Sequence, residues 1–203
     1  EQALVKKVMQ ASTENEVKPI AAEIDRTHQY PAENVAKLFK LGVMGMTVPK
    51  EYGGMGADQV AAAICTEELA KACASTSDIV AGHTLCCVPI LEHGNEEQKK
   101  KYLPMLTKGG VLGGMGITEP NAGSDASKSQ TEAKLEGDHY VINGSKIFIT
   151  NGPDAGVFVI FAMTDKTKGN KGLSAFIIES SFPGFSVGKK EDKRGLHGVH
   201  TSE

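Results

Sequence analysis

The residues best equipped for chemistry fall in two short stretches, GITEPNAGSD (Gly116–Asp125) and KIFITNG (Lys146–Gly152). The first offers the Thr118 and Ser124 hydroxyls, the Asn121 and Asp125 side chains, and Gly123, which lets a backbone approach a ligand closely. Taken alone it reads as ordinary loop chemistry, because the same residues are common turn and cap formers. The second stretch shifts the balance. Phe148 offers a flat ring and Thr150 a hydroxyl, and strand alternation predicts both on one face, two residues apart. A ring and hydroxyls on neighbouring segments suit a planar, hydrogen-bonding heterocycle.

Other motifs fail on spacing or context. GGMGITE places Glu119 where a dinucleotide-binding G-x-G-x-x-G needs its third glycine, and NGSK lacks the order of a phosphate-binding loop. His197 and His200 form H-x-x-H in a glycine-flanked loop with no third ligand in view, so a solvated loop is expected and no metal. His83 lies in an apolar stretch and is expected to be a packed, hydrogen-bonded imidazole rather than a catalyst. The run NEEQKKKY reads as a solvated helix face. Cys65, Cys73, Cys86 and Cys87 make no C-x-x-C and are expected to be reduced, mostly buried thiols in an intracellular compartment.

The elements that must position these residues show a change of period. Up to about residue 110 the pattern is helical, with Leu4, Val5, Val8 and Met9 at spacings of three and four. Pro31–Leu41 predicts a helix stopped at Gly42, Gln59–Ala74 and Ser77–Glu92 predict two long ones, and the run from Gly94 predicts a short charged one. Val48–Asp58 is a turn-rich break. After Gly110 the chain reads as β: HYVINGSKIFIT predicts a hairpin about Asn143-Gly144. VFVIFAM (Val157–Met163) predicts a strand buried on both faces, LSAFIIE (Leu173–Glu179) a third strand, and Phe185–Val187 the start of a fourth. The fold class is α+β, a helical domain over 1–110 followed by a β-barrel-like domain over 111–203. The net charge of −3 over 203 residues leaves no basic excess for a nucleic acid backbone. No apolar run is expected to reach the roughly 18 residues of a membrane helix. The chain opens on Glu1 without an initiator Met, and it is expected to be a piece of a longer polypeptide.

With VPKEYGGMG, GNEEQKKKYLPMLTKG, ITEPNAGSD and INGSKIFITNG in this order, the chain resembles the acyl-CoA dehydrogenases, and its short-chain, butyryl-CoA-type branch in particular. The resemblance implies an N-terminal helical domain, a middle β domain and a C-terminal four-helix bundle, of which the first two are expected here. It implies FAD, held through the backbone of Met115, Gly116, Ile117 and Thr118 and the Thr118 hydroxyl, with Phe148 packing on the flavin where the family usually has Trp, Thr150 hydrogen-bonding near its reactive nitrogen, and Ile149 between them. Ser124 is implied between flavin and thioester, Asn170 near the CoA, and Leu85 and Cys86 beside the fatty-acyl end.

The implied reaction converts a saturated acyl-CoA to the trans-2-enoyl-CoA. A glutamate removes the α-proton, the flavin accepts the β-hydride, and electrons pass to an electron-transferring flavoprotein. That glutamate is implied in the bundle, so no catalytic residue is assigned here and the chain alone is expected to be inactive. A homo-oligomer, a tetramer by resemblance, in the bacterial cytoplasm or mitochondrial matrix is implied. A non-catalytic binding module and an acyl-CoA oxidase are the alternatives.

Overall fold

The computed structural model describes residues 2–203. Its first part is helical: α1 (Gln2–Ser12), α2 (Lys18–Thr27), α3 (Ala32–Lys40), α4 (Gln59–Ala72), α5 (Ala74–His93) and α6 (Glu96–Thr107). A π-helical turn, Thr13–Val17, links α1 to α2 without a break. Local chemistry sets the ends. Pro31 caps α3, and Gly42, at φ 78°, takes the left-handed turn that stops it. Asp58 accepts the Ala61 N–H at 2.7 Å to start α4, and Asn95 and Gln98 exchange side-chain bonds to start α6. In α1 the apolar pattern is only half buried: Met9 is 2% exposed, whereas Leu4 is 66% exposed.

Helix α5, 20 residues long, is long and apolar enough to cross a membrane, unlike the expectation from the sequence. Here it is a core helix. Ten of its residues are buried, including Ile79, His83, Cys86 and Ile90, as it packs against α4, α6 and the sheet.

The β part comprises β1 (Leu112–Gly116), β2 (Glu132–Glu136), β3 (His139–Asn143), β4 (Ile149–Thr150), β5 (Ala155–Met163), β6 (Leu173–Glu179) and β7 (Thr201–Ser202). Strand β5 is the spine. It pairs antiparallel with β6 on one edge, and β1 and then β2 pair parallel with it along the other. Val157, Phe158 and Val159 are at most 1% exposed, as the unbroken apolar run predicts. The sheet is open rather than closed into a barrel, because β1 and β3 each end the order β1-β5-β2-β3.

Two expectations are corrected. The hairpin joins β2 to β3 across Gly137-Asp138, with Gly137 at φ 65°, and not across Asn143-Gly144. Gly144, at φ 156°, is there for space: a Cβ would lie 2.3 Å from the Thr131 hydroxyl. The segment Phe185–Val187 forms no strand; Phe185 instead packs its ring on Phe158.

His83 joins the two parts. Fully buried, it accepts the Gly113 N–H on Nδ1 at 2.9 Å, and its Nε2 lies 3.5 Å from Cys87 Sγ. The imidazole is therefore packed and hydrogen-bonded, as expected. All four cysteines are free and buried. Burial drops the His83 pKa to about 4, against an ordinary value near 6.5. The unfolded chain thus binds one more proton between those values, so stability is full above about pH 6.5 and is lost as pH falls toward 4. Urea melts from pH 7 to 4 should lose about 3 kcal/mol to this group, and His83→Asn should flatten that window.

Candidate functional site

The site is built where the end of β1 meets the segment leading into β4. Strand β1 is LGGMG because both its faces are in close contact. A Cβ on Gly113 would lie 2.6 Å from Cys86 Cβ of α5, and one on Gly114 would lie 2.9 Å from the Phe158 ring. On α5, a Cβ at Gly82 would lie 2.5 Å from Thr150 Cγ2. Glycine here is a packing requirement.

Hydrogen bonds tie the two segments together. Ile147 N–H donates to Thr118 O at 2.8 Å, and Lys146 Nζ donates to Ile117 O at 3.2 Å. Lys146 also pairs with Glu119 at 2.6 Å, both side chains being 4% exposed. Glu119 further accepts from Ser129 Oγ and from the Gln130 and Thr131 N–H groups. Burial would raise its pKa, but Lys146 and these donors outweigh it and hold the carboxyl at about 2. Asp125 is held below its ordinary value by hydrogen bonds from Ser127. Neither carboxylate is suited to take a proton near neutral pH.

The outer edge of β1 is free of strands. Gly113 turns both polar groups to that edge, its N–H to His83 and its C=O to Asn151 Nδ2 at 3.3 Å. Strand alternation aims the N–H and C=O of Met115 the same way. Beside this edge, Phe148 is 61% exposed and Thr150 half-buried. Their alternation on one strand does not hold, because Phe148 has φ 59° and β4 begins only at Ile149. The structure therefore brings Met115, Gly116, Ile117 and Thr118 beside Phe148, Ile149 and Thr150.

Ser124 is exposed on the loop after β1, and Asn170 is exposed in the turn Lys166–Gly172 between β5 and β6. Leu85 and Cys86 part company. Leu85 is 51% exposed at a 370 Å³ cavity with Met44, Val48 and Thr84, whereas Cys86 is fully buried, with its thiol on Val157 O. His197 and His200 are not a solvated loop. His197 stacks on His28 at 4.0 Å and pairs with Asp25, and His200 pairs with Asp154 at 2.8 Å beside Tyr30. Burial, and then the Asp154 charge, hold the Tyr30 phenol above its ordinary range. Among the described residues no three His, Cys, Asp or Glu side chains group to hold a metal.

Sequence reasoning missed Gly82, Glu119, Lys146 and Asn151. A lysine inside an alternating strand pattern was the one signal that could have pointed to the buried pair.

The family described as "Acyl-CoA dehydrogenase, N-terminal domain" matches residues 1–110, and "Acyl-CoA dehydrogenase, middle domain" matches residues 114–203. The chain belongs to the acyl-CoA dehydrogenase family. It is 57% identical to a short-chain specific acyl-CoA dehydrogenase of Clostridium acetobutylicum, over 100% of this chain and 54% of that protein. It superposes with TM-score 0.96 and 44% identity on a chain from the structure of the electron transferring flavoprotein of Acidaminococcus fermentans, covering 99% of this chain and 53% of that one. It superposes with TM-score 0.90 and 36% identity on an acyl-CoA dehydrogenase from Bacillus anthracis complexed with FAD, covering 100% of this chain and 35% of that one. The chain spans about half the length of the curated relatives it matches.

The buried pair gives a direct test. Lys146→Met leaves Glu119 charged without a counterion and should cost about 3–5 kcal/mol in a denaturant melt at pH 7. Adding Glu119→Gln to that variant should recover part of the loss.

Proposed function

We propose that this chain supplies the helical domain (1–110) and the β domain (111–203) of an FAD-dependent dehydrogenase of short-chain acyl-CoA thioesters. The observation that carries the proposal is the strand-free edge of β1 at Met115, whose backbone N–H and C=O lie beside an exposed aromatic ring and a half-buried hydroxyl. That combination fits an isoalloxazine: polar atoms along one rim, and flat faces that stack. The backbone from Met115 to Thr118 and the Thr118 hydroxyl would hold the rim. Phe148 would pack on the ring in place of an indole, and Thr150 would donate its hydroxyl to a ring heteroatom beside Ile149. Bound FAD supplies the acceptor for the hydride leaving the acyl β-carbon.

Ser124, on its exposed loop, would face the thioester side, and Asn170 would meet the CoA. With Glu119 and Asp125 both held as carboxylates by their partners, the α-proton acceptor is proposed to come from another part of the polypeptide. Electrons would leave to an electron-transferring flavoprotein, with several copies of the enzyme assembled together. The names of the relatives support the short-chain substrate and the flavoprotein partner.

The test is anaerobic mixing of the full-length enzyme with butyryl-CoA while the visible flavin band is followed. Bleaching supports the dehydrogenase reading, and an unchanged band with butyryl-CoA bound would overturn it. Thr150→Val should weaken flavin binding or move its potential by the equivalent of about 1–2 kcal/mol, the size of one buried hydrogen bond.

Acyl-chain selection is proposed to rest on Leu85, the member of the Leu85–Cys86 pair that faces the cavity. Leu85→Ala should shift kcat/KM toward longer acyl-CoAs by about 1–3 kcal/mol of discrimination. Cys86→Ala, beneath the sheet, should change the melting temperature and leave the chain-length profile as it was.

A further inference from the structure

We propose that Asn151 is a positioning residue that fixes the flavin wall in register with helix α5; this rests on the flavin-wall reading above. Asn151 is fully buried and sits at φ 64°, a left-handed conformation that ordinarily selects glycine. Asparagine tolerates that backbone and adds an amide, and the amide is used. Its Nδ2 donates to Ile79 O on α5 at 3.0 Å and to Gly113 O on β1 at 3.3 Å. Two carbonyl oxygens on the same side determine which end of the amide faces them, because only the NH2 group can donate twice.

The location makes this a matter of the site as well as of the fold. Asn151 directly follows Thr150 in the chain, and Gly113 stands two residues before Met115 on the same edge of β1. One side chain therefore grips both halves of the wall and ties them to one turn of α5. The same helix holds Gly113 a second time through His83, whose Nδ1 accepts the Gly113 N–H. Gly82, one turn along from Ile79, lets Thr150 lie against the helix: a Cβ there would be 2.5 Å from Thr150 Cγ2 and 3.3 Å from Asn151 Nδ2. A hydrogen-bonding site loses affinity when its donors shift by a fraction of a bond length, so the clasp sets how well the wall matches a rigid ring.

A merely structural role would be to hold the turn from Asn151 to Asp154. The Asn151 main chain already does that, its C=O accepting from Asp154 N–H at 2.9 Å and Ala155 N–H at 2.8 Å. Asn151→Gly separates the two roles, because glycine keeps the left-handed turn and removes only the amide.

The experiment uses the full-length flavoprotein, with three readouts: FAD dissociation from reconstituted apoprotein, the flavin midpoint potential, and the melting temperature. Leu103→Ala, a cavity in α6 away from the wall, serves as a control for general destabilisation. Asn151→Gly should weaken FAD binding about tenfold and shift the potential, changes absent from Leu103→Ala even where its melting temperature falls as far. Wild-type affinity and potential in Asn151→Gly, or the same shifts in the control, would overturn the proposal. If Asn151→Gly does not fold, Gly82→Ala decides, since alanine favours the helix while its methyl pushes on Thr150. A folded Gly82→Ala enzyme should show the same loss, and wild-type flavin properties would overturn the proposal. Should Thr150→Val alter flavin binding while both other variants do not, only the positioning role falls. Should none of the three alter it, the flavin-wall reading falls with it.

Discussion

The contact of α5 with β1 and β4 is the constraint on which the remaining structure depends. A helix and a strand pack this closely only where side chains are missing, and Gly82 and Gly113 supply the gaps. Closeness then brings polar groups within bonding reach, so that His83 and Asn151 can satisfy Gly113 from two directions. Without those partners, each buried polar group of this edge strand would go unsatisfied at a cost of about 1–3 kcal/mol. The helical and sheet parts therefore share one core, in which Ile79 of α5 and Phe158 of β5 belong to a single cluster.

This arrangement explains what could be read from the sequence. Periodicity located the long helices and the spine strand, because burial there is one-sided or complete and the apolar spacing records it. Strand β1 escaped, since a segment pressed on both faces selects glycines, and glycines read as loop. The hairpin was misplaced by a similar ambiguity. Asn143-Gly144 and Gly137-Asp138 both carry turn residues, but Gly144 is required by its contact with Thr131, which faces it across the open end of the β2–β3 hairpin. Single-chain patterns report local geometry well and long-range approach poorly.

The site divides in the same way. Residue types alone joined the Thr118 and Thr150 stretches, and the structure does place them side by side, linked through Ile147 and Thr118. The family resemblance supplied the identity of the heterocycle, which no spacing in the chain specifies. The groups that hold the stretches in place were not legible. Lys146 and Glu119 are ordinary surface residues by type, and only tertiary structure turns them into a buried pair surrounded by donors. His197 and His200 erred in the opposite sense: a glycine-flanked loop suggested solvent, whereas His197 stacks on His28 beside Asp25 and His200 packs against Asp154 and Tyr30.

A physical logic connects these features to the chemistry proposed. The donors along the wall are mainly backbone groups of a strand, fixed in direction before any ligand arrives, and preorganised donors need not reorganise as charge develops. Lys146, beside the wall, is spent on Glu119 and on Ile117 O, so it sets the shape of the wall and adds little net charge. The carboxylates there are held ionised by close partners, which makes them poor bases. A surface that offers strand backbone groups and no base suits the half of a redox site proposed to receive a hydride. The proton-accepting half needs a carboxylate whose burial is not offset by a cation and close donors, whereas Glu119, though buried, is held low by Lys146 and its hydrogen bonds. Placing both on one wall would pair the base with the lysine that shapes it, so physical chemistry favours their supply from opposite sides of the substrate.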